Sequence, residues 1–173
     1  FIPQESLLAV NVGTDSKADW FIEQLRPCFA EFNCTPLTFN HAPSDLLRRI
    51  FLGETPAGFT LGRECRMQDV SDAKSIATWR GFELSDASIR RHVAEGMNVT
   101  HLGVEFEQTL SCVINQDGII SKFRFAEGDA VDTPDTEDPL ARLDAEFVLL
   151  AGTAQSLVIA LRDLLGGYAS AND

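Results

Sequence analysis

Positive charge is scarce in this 173-residue chain: 14 Lys and Arg stand against 26 Asp and Glu, a formal net charge of -12 at pH 7. The isoelectric point lies near 4.6. Nucleic-acid binders usually carry a basic footprint, so the balance taken whole argues against a polyanionic partner. Long apolar runs are missing too. Stretches such as Phe147-Val148-Leu149-Leu150-Ala151 fall well short of the ~20 residues that span a bilayer, and no membrane partner is expected. The chain opens Phe1-Ile2-Pro3-Gln4-Glu5, with neither Met nor a basic n-region. No secretory signal is visible, and the segment reads as a fragment or processed product.

Chemistry-bearing patterns are equally sparse. Cys28, Cys34, Cys65 and Cys112 contain no C-x-x-C pair, and a disulfide framework needs more cysteines in a shorter chain. Reduced thiols in a cytosolic protein are therefore expected. There is no G-x-x-x-x-G-K-[ST] phosphate loop, no G-x-G-x-x-G after a strand and no G-x-S-x-G elbow. His41, His92 and His101 show neither H-x-x-x-H nor H-E-x-x-H spacing. Asp129, Asp132, Asp135, Glu137 and Asp138 are the one set with the chemistry to hold a hard cation. Their run lacks the glycine and glutamate positions of a calcium loop and reads as solvated. No catalytic residue, metal site or cofactor is assigned.

What is present is a globular pattern: 45% apolar and 23% charged residues, enough for one domain or two small ones with a sizeable core. Leu8, Val10 and Val12 alternate before Gly13-Thr14-Asp15-Ser16, and Trp20, Phe21, Leu25, Phe29 and Phe32 follow at helical spacing, with Pro27 expected to end or kink the helix. With Pro36-Leu37-Thr38-Phe39 as a second strand, this is a β-α-β unit too small to stand alone. The turn His41-Ala42-Pro43-Ser44 marks a boundary. Ser44 is expected to cap a helix carrying Leu46, Leu47, Ile50 and Phe51, and Ser85 one carrying Ile89 and Val93, with Gly53 and Gly96 as their left-handed stops.

Residues 58–70 and 74–82 contain strand-like stretches. Thr100 to Phe106, Leu110 to Ile114 and Ile119 to Phe125 alternate, with Asn115-Gln116-Asp117-Gly118 between the last two, which predicts an antiparallel meander over 99–125. Asp138-Pro139 starts one or two helices through Leu140, Leu143, Phe147, Leu150, Leu157, Leu161, Leu164 and Leu165, with a weak point at Gly152 and an end at Gly166-Gly167. The fold class read from this order is α+β: a partial β-α-β unit over residues 1–41, then an α+β domain over 42–173.

Charge is unevenly spread. Residues 127–146 hold eight acids and one base, whereas 60–125 hold nine acids and eight bases. The sheet region is nearly neutral and has room for a basic face. If Phe123 and Phe125 face the core, Lys122 and Arg124 stand together on the other side, roughly 7 Å apart. Arg80, beside Trp79, joins them, and Arg90 and Arg91 point away from Ile89 and Val93 on their helix. Such a patch suits phosphate contacts without base readout; an ordinary solvated sheet face is the plainer reading.

An ordered set of pieces resembles the bacterial recombination-associated protein RdgC family. They are Gly58-Phe59-Thr60-Leu61, Leu84-Ser85-Asp86 leading into Ile89, His92, Glu95 and Gly96, then Val99-Thr100 with Leu102. Asp117-Gly118 before Lys122-Phe123-Arg124-Phe125, Leu143-Asp144-Ala145-Glu146-Phe147 before Gly152, and Leu164-Leu165-Gly166-Gly167 complete the set. The resemblance implies a nucleoid-associated, cytoplasmic protein that binds double-stranded DNA with little sequence preference. It further implies a ring-shaped homodimer with a basic central hole that limits the RecA recombinase; a direct contact with RecA is not implied.

On the same resemblance, 1–41 is the second half of the family's central domain and 42–173 its C-terminal base domain, a place where subunits meet. Arg80, Lys122 and Arg124 match basic positions, while Gly81 and Met97 stand where lysine is expected. The family's N-terminal half has no counterpart here, so weak DNA binding by this segment is expected. The alternatives are a structural dimerisation module without DNA contacts and a metal-dependent enzyme using the acidic run.

Overall fold

A computed structural model describes residues 1–125 and 138–169. Among these the chain forms two compact units, Phe1–Leu37 and Thr38–Ala169.

The first unit contains helix α1 (Asp15–Leu25), a 3-10 turn at Pro3–Glu5 and another at Arg26–Cys28. The helix begins one residue after Thr14 and stops at Leu25, because Pro27 cannot donate to the helical ladder. The runs at Leu8–Val12 and Pro36–Phe39 form no ladder, so the expected strands of the β-α-β unit are not built. An extended run is a strand only when a neighbour takes its backbone groups along a ladder; Leu8–Val12 has none, and Pro36–Phe39 makes only the single bridge of Phe39 to Tyr168. Phe29 and Phe32 stack at 5.4 Å between ring centroids. Among the described residues of this unit only Ile2 is buried, and Trp20 is 62% exposed. The apolar stripe of α1 therefore has no core of its own.

The second unit is built on a five-stranded antiparallel sheet in the order β2-β1-β3-β4-β5. The strands are β1 (Phe59–Asp69), β2 (Ile76–Arg80), β3 (Met97–Phe106), β4 (Leu110–Asn115) and β5 (Ile120–Phe125). The expected meander is thus present as β3-β4-β5. The turn between β4 and β5 is held by the Asn115 side chain, whose Oδ1 accepts from the backbone of Asp117 and Ile119 at 3.0 and 2.8 Å. Gly118 takes the left-handed conformation there, with φ +83°.

Three helices cover one face of this sheet: α2 (Pro43–Leu52), α3 (Ala87–Ala94) and the second half of α4 (Pro139–Leu164). Each contributes apolar residues at helical spacing: Leu46, Leu47, Ile50 and Phe51 from α2, Ile89 and Val93 from α3, and Leu157 and Leu161 from α4. They meet Cys65, Met67, Leu102, Val104, Cys112 and Ile114, the alternate residues of the strands. Leu47, Ile50 and Phe51 are completely buried.

Two cap assignments shift and one expected break is not made. The N-cap of α2 is Ala42, without a side-chain bond, so Ser44 lies inside the first turn, behind Pro43 at the position that spares an N–H. Asp86, one residue after Ser85, caps α3 by accepting from the Ser88 amide at 2.7 Å. Gly152 does not break α4, which runs unbroken for 26 residues. Asp138 caps that helix by accepting from Leu140 at 2.9 Å, as expected. After it, Gly167 returns an amide to the Arg162 carbonyl, and Tyr168 pairs with Phe39 across an isolated bridge. Thr38–His41 accordingly packs with the second unit.

By length and composition α4 is apolar enough to cross a bilayer. A search for unbroken apolar runs misses this, because Thr153, Gln155 and Ser156 interrupt the run without reversing the helix's character. Its second half is anchored in the core by Leu157 and Leu161, while Leu140, Leu143, Phe147 and Val148 in its first half are exposed. The acidic residues 126–137, including Asp129, Asp132, Asp135 and Glu137, lie outside the described residues.

All four cysteines are free. Burial pushes the thiols of Cys65 and Cys112 up to about 12, while Cys28 is exposed. A thiolate is the reacting species. Iodoacetamide at about pH 8 is therefore expected to alkylate Cys28 and then half-buried Cys34 in the folded protein. Cys65 and Cys112 react only after unfolding, as mass spectrometry of native and denatured samples would register.

Candidate nucleic-acid interface

Within the second unit the described helices pack on one face of the sheet and none is placed on the other. Cross-strand register places its side chains in rows. One row runs Thr78, Arg66, His101, Asn115; another runs Thr60, Glu105, Ser111, Arg124. Between them lies Arg80 opposite Glu64, then Gly103, Val113 and Ser121.

That middle row is distorted by two bulges. On β1, Leu61 opposes Val104 and Cys65 opposes Leu102, so Gly62, Arg63 and Glu64 together face the single residue Gly103. The backbones touch there: a Cβ on Gly62 would stand 2.7 Å from the Gly103 carbonyl carbon, and one on Gly103 would stand 3.1 Å from the Glu64 oxygen. At Gly62 only glycine admits this approach, and at Gly103 a side chain would need its neighbours to give by a few tenths of an ångström. Arg63 is held outward by its backbone pairing with Gly81 and by a 3.0 Å bond from its guanidinium to the Gly81 carbonyl. Glu64, next to buried Cys65, lies on the open face by alternation.

On β5 the second bulge sits at Lys122. Ser111 opposes Arg124 and Val113 opposes Ser121, so Lys122 and Phe123 share one partner position, and Lys122 has φ +56°. Phe123 and Phe125 do pack against the core, and Lys122 and Arg124 are exposed on the strand. Lys122 is an extra residue, though, and not half of a regular i, i+2 pair. Its ammonium donates to Glu64 Oε1, the same oxygen that Arg80 Nε approaches at 3.4 Å.

Strands β1 and β5 are separated by β3 and β4, about 14 Å in a flat sheet. A direct Glu64–Lys122 contact therefore records a sheet curled over this face, as bulges and twist produce. Val113, on the row crossed by this bridge, is 6% exposed although it lies outside the helix-side core. The Lys122 ammonium, with Arg80 beside it, holds the Glu64 carboxyl below the usual carboxylate range despite partial desolvation. Glu64 is ionised at neutral pH.

Arg80 and Lys122, 42 residues apart, thus meet at one carboxylate. Arg124 flanks them on the same face and forms no ion pair among the described residues. Arg66 was not singled out by sequence, although its alternation with Cys65 and Met67 marks the outward position; register pairs it with His101. Desolvation first, then the neighbouring Arg66 charge, pushes the His101 pKa down, so the imidazole is neutral at pH 7.

Arg90 and Arg91 do not join this group. They lie on α3, on the helix-covered side. A Cβ at Gly53 would come within 3.6 Å of the Arg90 guanidinium, and the Arg90 Nε is buried without a hydrogen-bond partner. Arg91 bonds Glu95 one turn along at 3.1 Å. Among the described residues no group of three or more His, Cys, Asp or Glu gathers as a metal-ligating set.

The family described as "Putative exonuclease, RdgC" matches residues 1–168. The chain belongs to the RdgC family. Relatives named recombination-associated protein RdgC include that of Stenotrophomonas maltophilia, 30% identical over 163 residues, covering 92% of this chain and 54% of the relative. That of Shewanella halifaxensis is 27% identical over 169 residues, covering 96% and 56%. That of Proteus mirabilis is 30% identical over 168 residues, covering 95% and 56%. This RdgC-family chain spans about half the length of the curated relatives it matches, and the match runs through both units.

The tightness of the Gly62–Gly103 approach sets an order of severity. Gly62→Ala is expected to destabilise the second unit by about 1–3 kcal/mol through backbone overlap. Gly103→Ala, whose tightest neighbours are a few tenths of an ångström further off, costs less. Urea denaturation of the two variants measures the difference; equal midpoints would contradict the close approach.

Proposed function

We propose that this chain is part of a sequence-nonspecific double-stranded DNA-binding protein of recombination. In this reading it acts as a ring-shaped homodimer on the cytoplasmic nucleoid, antagonises RecA and performs no catalytic step. Residues 1–41 are then the second half of a central domain and 42–173 a base domain. The observation that carries the reading is the sheet face opposite the helices, with Arg66, Arg80, Lys122 and Arg124, in a family whose curated members are named for recombination. Several cations on one face of the sheet suit phosphates, which report position and not sequence. Gly81 and Met97 add no charge, so the affinity of this segment is low.

The test is a duplex titration by fluorescence anisotropy. If about three phosphates are neutralised, affinity falls roughly 40-fold when salt rises fourfold. Lys122→Gln with Arg124→Gln lowers the salt slope by about two, and end-labelled duplex incubated with Mg²⁺ stays full length. Unchanged binding removes the two residues from the interface, and shortened duplex brings back the exonuclease reading.

One observation favours the second reading, a dimerisation module. Leu140, Leu143, Phe147, Leu150, Ala154, Leu157, Leu161 and Leu164 repeat in alternate steps of three and four along α4, the spacing of a coiled-coil seam. Its latter part is buried on the sheet while Leu140 is 75% and Phe147 64% exposed. A second copy presenting the same seam is the occupant this reading assigns. Sedimentation is expected to show a dimer that Leu143→Glu with Phe147→Glu converts to a folded monomer. A monomeric parent chain would remove the seam as the interface, and a dimer without DNA affinity would favour this module over the DNA-binding reading.

A further inference from the structure

We propose that Glu64 is a built-in occupant of the phosphate position between Arg80 and Lys122, so that DNA engages these two cations only by displacing it. The inference rests on the DNA-binding reading above and adds a regulating residue to that face.

The geometry is specific to Glu64. Alternation with Cys65 and Met67 places it on the open face beside Arg66, and of the two it alone contacts cations, Arg80 on β2 and Lys122 on β5. One of its oxygens, Oε1, takes both cations, as a phosphate oxygen would. The side chains differ in exposure: Arg80 is 74% exposed, whereas Glu64 is 28% exposed. The carboxylate is thus seated beneath groups that still reach solvent. Its contacts are made at a surface, where an ion pair is weak enough to exchange. A DNA backbone, with many phosphates and counterions to release, is a competent competitor. Lys122 sits at the bulge of β5 with φ +56°.

A second acid on the same face provides the control. Glu105 lies in the row of Ser111 and Arg124 and forms no ion pair among the described residues. Glu105→Gln changes the net charge as Glu64→Gln does without freeing a paired cation.

The experiment measures binding of a fluorescent duplex to the 173-residue chain and to Glu64→Gln, Glu105→Gln, Arg80→Gln/Lys122→Gln and the triple variant that adds Glu64→Gln, each checked for unchanged circular dichroism. Glu64→Gln is expected to bind about three- to tenfold more tightly with a steeper salt slope. Glu105→Gln should gain less, and the gain from Glu64→Gln should vanish once Arg80 and Lys122 are gone. If Arg80→Gln/Lys122→Gln weakens binding but Glu64→Gln gains no more than Glu105→Gln, the occupant role is overturned while the DNA face stands. If Arg80→Gln/Lys122→Gln binds as the parent does, or nothing binds even at low salt, the DNA reading of this face fails and Glu64 loses its role with it.

Discussion

Two backbones in contact, at Gly62 and Gly103, set the conditions for everything on the open side of the sheet. A side chain on Gly62 would collide with carbonyl atoms that cannot turn away. With none present, β1 fits three residues against one of β3, while Glu64 faces outward by its alternation with Cys65 and Met67. Extra residues sharpen the local twist, and a second bulge at Lys122 does the same on β5. A flat sheet would keep β1 and β5 too far apart for a carboxylate and an ammonium to meet. The Glu64–Lys122 bond exists because both strands are irregular.

The helix-covered side follows simpler rules, which explains what was legible from sequence. Period-2 alternation in Leu102–Phe106 and Leu110–Ile114, the Asp117-Gly118 turn, and the 3.6-period stripe of α2 all act locally. Each is written in consecutive residues. Cap positions slipped by a residue because Ser44, Ser85 and Asp86 are chemically similar caps, and the choice among them depends on where the backbone enters the helix. The strands expected at 8–12 and 36–39 failed for a different reason. A strand is a relation between two segments, and alternation in one of them does not supply the other.

The candidate site was half legible for the same reason. Alternation showed that Lys122 and Arg124 oppose the two phenylalanines, and the resemblance added Arg80. Sequence could not show that Arg80 and Lys122 share a carboxylate, because Glu64 lies 58 residues before Lys122 and two strands stand between them. Nor could helical spacing reveal that α3 lies on the covered side, which removes Arg90 and Arg91 from the cluster. Arg66 was within reach: it alternates with Cys65 and Met67 much as Lys122 and Arg124 do with their neighbours.

Net charge misleads about a face of this kind. At physiological salt an exposed charge is screened beyond ~8 Å, so a phosphate close to the sheet responds mainly to the groups around it. Register brings four cations to that face, Arg66, Arg80, Lys122 and Arg124, against the carboxylates of Glu64 and Glu105. The local balance is positive although the chain as a whole carries -12. Of the two carboxylates, only Glu64 touches cations, so the local field depends on where that one side chain sits. With Glu64 bridged to Lys122 and Arg80, the groups of this face left without an ion pair are Arg66 and Arg124 against Glu105. With Glu64 swung aside, two more cations become available and the freed carboxylate returns to solvent, where salt screens it. A single side chain can therefore change the local charge that this surface presents, and it does so at contact distance, where screening is weakest.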